Sequence, residues 1–115
     1  MKRPIGILLA ATVGASLAHA EVDKKTERTW KARCASCHGP DGKAQTELAK
    51  RMKVRDMTTA AWQKEFSDDA LRKAIKEGVH REQGGVKQEM EAFGETLKPE
   101  QIDALVQFIR SLGAK

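Results

Sequence analysis

Apolar positions recur most regularly near the carboxyl end of this chain, where Ile102, Leu105, Val106, Ile109 and Leu112 repeat at helical spacing and Phe108 widens the same face. The pattern predicts an amphipathic helix with one buried stripe. Pro99 suits its first position, Glu100 and Asp103 suit the positive end of the dipole, and Gly113 suits the stop, which gives a helix over 99–112. A second helix is expected after Ser67, a good N-cap, with Asp68 and Asp69 in its first turn, Ala70, Leu71, Ala74 and Ile75 as its stripe, and Gly78 as its end. A third, over 22–36, has an apolar face interrupted by charge, with Trp30 its only large side chain suited to burial. A short helical turn over 59–64 would point Trp62 inward, while Gly39-Pro40-Asp41-Gly42 and Gln83-Gly84-Gly85 read as turns or loops. No alternating run long enough for a sheet is visible, so the expected class is all-α, with three main helices, short helical turns and long loops.

The amino terminus has a different character. Lys2 and Arg3 precede an apolar or small run from Ile5 to Leu17, and Ala18-His19-Ala20 fits the small-x-small cleavage rule. Residues 1–20 therefore read as a cleaved secretory signal peptide, and 21–115 as the mature domain. The apolar run is shorter than the ~20 residues of a membrane span, and no second one follows, so the mature chain is not expected to span a membrane. Cleavage removes two basic residues and leaves 19 Lys and Arg against 16 Asp and Glu, a formal +3 where the whole chain has +5. That excess is too small and dispersed for a nucleic-acid partner, although it would favour an acidic one. The run Lys50-Arg51-Lys53-Arg55 reads as a solvated face. With three Phe, two Trp and no Tyr, the chain is short of bulky apolar material, a gap that a large planar cofactor would fill.

Cys34-Ala35-Ser36-Cys37-His38 fits the C-x-x-C-H haem attachment pattern. Two thiols about one helical turn apart can add to the two vinyl groups on one edge of a haem, and the next residue offers an imidazole to the iron. Cys34 and Cys37 would form the thioethers and His38 the proximal ligand, its second ring nitrogen seeking a carbonyl such as that of Pro40. A thioredoxin-like dithiol would need a strand before the motif. A structural zinc site would need more ligands than two Cys and the distant His80. A disulfide across so short a loop would gain little.

Haem iron held by His and Met suits electron transfer, since the thioether raises the potential and a filled shell leaves no substrate site. Met52 lies in a basic stretch and Met57 precedes a helix start, so both read as packing residues. Met90 follows Gly84-Gly85 in a loop-like segment near Phe93, with enough chain after His38 to reach the other haem face. His80, in the polar segment Gly78-Val79-His80-Arg81-Glu82, is its rival and reads as a solvated residue.

With these residues in place, the sequence resembles the small monohaem class I c-type cytochromes of bacteria over nearly all of the mature chain. Trp30 stands four residues before Cys34, Cys34-Ala35-Ser36-Cys37-His38-Gly39 follows the attachment signature, and Met90-Glu91-Ala92-Phe93 and the final helix fill the later parts of the pattern. The resemblance implies one covalently bound haem c with His38 and Met90 as axial ligands. It also implies that Trp30 meets Phe108 where the first and last helices cross, and that Trp62 and Arg55 contact the haem propionates. Two positions depart from the pattern: Glu91 stands where Pro usually follows the ligand Met, and Thr26 where Gly is favoured in the first helix.

The function expected from this reading is periplasmic one-electron transfer between redox partner proteins that dock transiently on a monomeric carrier. A haem peroxidase-like or gas-binding activity, opened by release of Met90, is the alternative that Glu91 raises; a haem-free helical module would require the motif to be accidental.

Overall fold

The computed structural model describes residues 23–114, together with Lys2 and Gly6; the expected signal peptide and the start of the first helix at Val22 fall outside the described residues. The described chain runs α1 (Lys24–Arg33), α2 (Ala35–His38), α3 (Glu47–Met52), α4 (Ala60–Glu65), α5 (Asp68–Glu77), β1 (Val79–Gln83), β2 (Val86–Met90) and α6 (Pro99–Leu112).

Local chemistry sets the helix starts. Asp23, Thr46, Thr59 and Ser67 each stand in extended backbone and accept an N–H from the first turn that follows, at 2.7–3.2 Å. α6 begins on Pro99, and the Lys98 N–H donates to Gln101 Oε1 at 2.8 Å. α5 and α6 have the extents that the sequence predicts.

The third expected helix does not run unbroken to Ser36. It ends at Arg33, Cys34 takes φ −118°, and the attachment motif forms a separate turn, α2. The chain between the motif and residue 59 also carries α3, which its short, charged sequence did not reveal.

The larger departure is the antiparallel hairpin of β1 and β2, paired from Val79↔Met90 to Gln83↔Val86. Gly84 and Gly85, both at positive φ, make the two-residue turn that such a hairpin favours. Its strands are rich in Glu, Gln, Lys and Arg, with one face open to water, so neither alternation nor β-propensity marks them in the sequence.

The core gathers where α1 and α6 cross and where α5 lies against α6. Trp30, Leu71, Ile75, Phe93, Leu105 and Val106 are among its buried members. The rings of Trp30 and Phe108 meet with centroids 5.0 Å apart. Thr26 is buried in α1, 7% exposed, which agrees with a position where the resembled family has a smaller residue. Arg110 locks α6 to α4, the link after it and the start of α5: it donates to Asp68 Oδ1 at 2.8 Å, Gln63 O at 2.7 Å, Gln63 Oε1 at 3.0 Å and Phe66 O at 2.6 Å.

Candidate haem site

Cys34, Cys37 and His38 project from one turn because α2 is too short to spread them. Trp30 holds that turn to α1, donating from Nε1 to the Gly39 carbonyl at 3.0 Å and laying its ring 5.9 Å from that of His38. Gly39, at φ +82°, lets the chain leave sharply, and Ala44 N returns to the His38 carbonyl at 2.9 Å. On the other side Thr46 donates its hydroxyl to the Ser36 carbonyl at 2.8 Å, so the N-cap of α3 is fastened to the motif.

These three residues line a cavity of about 520 Å³, within the size range of small-molecule and cofactor pockets. Its walls are largely apolar: Val54, Trp62, Phe66, Leu71, Ile75 and Phe93 all face it. Met90, at the end of β2, lines it as well, so the structure brings together the two residues expected to ligate iron. Met90 is thus a strand residue rather than a loop residue, because the Gly84-Gly85 turn folds its segment back onto β1. His80 does not line the cavity; it is exposed on β1 opposite Glu89, while its neighbours Val79 and Arg81 face inward. Met52 and Met57 do line it, and Met57 is also core.

The chemistry of the donors fits a haem. Cys34 and Cys37 are not joined to one another. Burial, with Cys37 adding, pushes the Cys34 thiol up to about 12, the reverse of the lowered pKa that marks a reactive dithiol. Burial also lowers the His38 pKa and keeps the imidazole neutral, the form that binds a metal. Its Nδ1 is buried and has no hydrogen-bond partner among the described residues. The expected bond to the Pro40 carbonyl is not formed: Pro40 is exposed on the turn beyond Gly39, and the Gly39 carbonyl is taken by Trp30. An apolar cavity with an imidazole, three thioethers and two thiols on its wall suits a large planar iron cofactor.

Arg55 and Trp62 also line the cavity. The Arg55 guanidinium is held by Glu65 through two bonds, Nη1 to Oε2 at 2.7 Å and Nη2 to Oε1 at 3.0 Å, and lies 6.0 Å from the centre of the Phe66 ring. Trp62 stacks obliquely on Phe66, with ring centroids 5.1 Å apart. Gln88 and Val54 are cavity residues that the sequence did not single out, and Met52, read there as a packing residue, lines the cavity as well; with no alternation to mark the strand, Gln88 carried no signal of its own.

Residues 21–109 match the family model described as cytochrome c oxidase, cbb3-type, subunit III. The chain belongs to this cytochrome c family. Within it, the chain is 31% identical over 100 residues to the Cbb3-type cytochrome c oxidase subunit FixP of Azorhizobium caulinodans, a stretch that is 87% of this chain and 30% of that relative. The chain thus spans less than a third of the curated relative it matches. Among solved structures it is similar to the KustC0563 c-type cytochrome, with a TM-score of 0.62 and 30% identity over 76% of this chain and 95% of that one. A point mutant of the same cytochrome matches equally well, at 31% identity. This cytochrome is therefore a bacterial monohaem c-type protein of the class I fold, with haem c as its cofactor. Among the described residues of the cytochrome, no helix is long and apolar enough to cross a membrane.

Proposed function

We propose that this cytochrome is a periplasmic one-electron carrier in which Cys34 and Cys37 anchor the haem and His38 and Met90 fill the two axial positions of its iron. The observation that carries the reading is the convergence of α2 and β2 on one apolar cavity, which His38 and Met90 both line. When bound, haem c supplies a ferrous/ferric couple that needs no substrate at the metal. The chain's own residues do the rest: Trp30 and Thr46 hold the attachment turn, the apolar walls keep water from the site, and β2 presents the thioether.

Residues 1–20 supply the export step in this reading, with Glu21 as the first mature residue. Arg33, Lys53 and Arg81 stand around the cavity against Glu89 and Glu91, with Arg55 paired to Glu65, a net positive rim that would attract an acidic partner. The likeness to a cbb3-type oxidase subunit supports an oxidase-linked route for the electron.

The test is the absorption of the oxidised protein in the long-wavelength region where iron(III)–Met ligation gives a band. Met90→Ala is expected to abolish the band and Met52→Ala to leave it. A band that survives Met90→Ala sinks the assignment. Rapid, complete binding of carbon monoxide to the reduced wild type at neutral pH would instead indicate an open, ligand-binding haem.

A further inference from the structure

One residue on the inward face of β2 is out of keeping with its neighbours. Val86, Gln88 and Met90 share that half-buried face, while Lys87 and Glu89 are exposed. An amide placed between two apolar side chains must find partners, since a buried unsatisfied polar group is costly. Gln88 has three. Its Oε1 accepts from Arg81 Nε at 2.7 Å, directly across the ladder. Its Nε2 donates to the carbonyls of Met52 at 2.9 Å and Lys53 at 3.2 Å.

Those two carbonyls are the end of α3. Lys53 is its C-cap, left-handed at φ +52°, and carbonyls at a helix end lack partners within the helix. A strand side chain supplies the bonds here, so the hairpin is tied to α3. The other end of α3 is tied to the attachment turn by Thr46 and Ser36. A continuous frame therefore runs from the turn that carries His38, through α3, to Gln88 and so to Met90 two residues further along the same face.

We propose that Gln88 is a positioning residue for Met90, setting the span between the two axial ligands through α3. This rests on the reading of Met90 as the sixth ligand. The sequence lacks the Pro that would stiffen the backbone after that ligand, having Glu91 instead, and the Gln88 tether restrains the same segment from its other side.

The experiment uses haem-loaded full-length protein, with imidazole as the probe that displaces the sixth ligand from oxidised iron. Gln88→Leu removes all three bonds; Gln88→Glu keeps an acceptor for Arg81 and loses both donors to α3. Both variants are expected to retain the iron(III)–Met band and to bind imidazole about tenfold faster than wild type, the order of effect expected for loss of one net hydrogen bond. Lys87→Ala, on the exposed face, is expected to bind at the wild-type rate. Wild-type rates in both Gln88 variants would overturn the proposal, and so would failure of both to take up haem, which would make Gln88 a general support of the fold. A band that persists in Met90→Ala would show the separate failure of the ligand assignment.

Discussion

Gly78 lies against the backbone of Met90: a Cβ on Gly78 would stand 2.5 Å from the Met90 carbonyl oxygen and 3.0 Å from the Ala92 nitrogen. Gly78 ends α5 at φ +78°, so the end of that helix and the segment after the strand pass each other with no room for a side chain. With ψ at 179°, Gly78 occupies a positive-φ extended region open essentially to glycine alone, so Gly78→Ala is expected to cost more than the about 1–3 kcal/mol of such a strained backbone, because the Met90 backbone must also move. The holoprotein variant should show a weakened iron(III)–Met band and a lower denaturant midpoint. An unchanged band with only a stability loss would show that Met90 adapts.

Phe108 joins the crossing of α1 and α6 to the ring of Trp30, which in turn braces the attachment turn. Phe108→Ala is expected to destabilise the holoprotein by about 3–5 kcal/mol, the range for truncating a buried aromatic. Trp30→Phe keeps much of the packing but leaves the buried Gly39 carbonyl without its donor, and about 1–3 kcal/mol is expected from that loss. Denaturant titrations followed by circular dichroism check both.

Arg110 reaches three carbonyl or amide oxygens and one carboxylate from a single planar fork. Arg110→Leu leaves the Gln63 and Phe66 carbonyls without that donor, at an expected cost of about 2–3 kcal/mol. Arg110→Lys should restore little of it, since one ammonium cannot span the same set. Thermal unfolding of the two variants side by side is the measurement.

Asp23 has its carboxyl pKa lowered from 3.8, first by the backbone N–H of Thr26 that it caps. A depressed carboxyl contributes stability that is present above the ordinary value and is lost as pH falls through the folded one. Asp23→Asn keeps a capping oxygen and removes the titration. The melting temperature of wild type should therefore exceed that of the variant near pH 6, and the gap should close as pH falls below about 4. A gap independent of pH would show that Asp23 acts without its charge.

The attachment motif and the two strongest helices were legible in the sequence for reasons that are local. Cys34, Cys37 and His38 fall within one turn of chain as a C-x-x-C-H motif, and the stripes of α5 and α6 record burial at a helical period, with Ser67, Pro99 and Gly78 marking their limits. The meeting of Trp30 and Phe108 was also anticipated, through a resemblance rather than through spacing.

What the chain could not show by itself is the hairpin and all that hangs on it. Val79–Gln83 and Val86–Met90 carry no apolar alternation, because one face is in water and the other is held by hydrogen bonds as much as by burial. Only the pairing across Gly84-Gly85 makes strands of them, and only the fold sets Gln88 beneath the carbonyls that end α3, thirty-five and thirty-six residues away. Binary pattern records which residues avoid water. It is blind to a glutamine whose partners are backbone groups, because every residue but proline offers the same two. The sequence determined a C-x-x-C-H turn on a helical frame; tertiary structure decided how His38 and Met90 come to face one cavity.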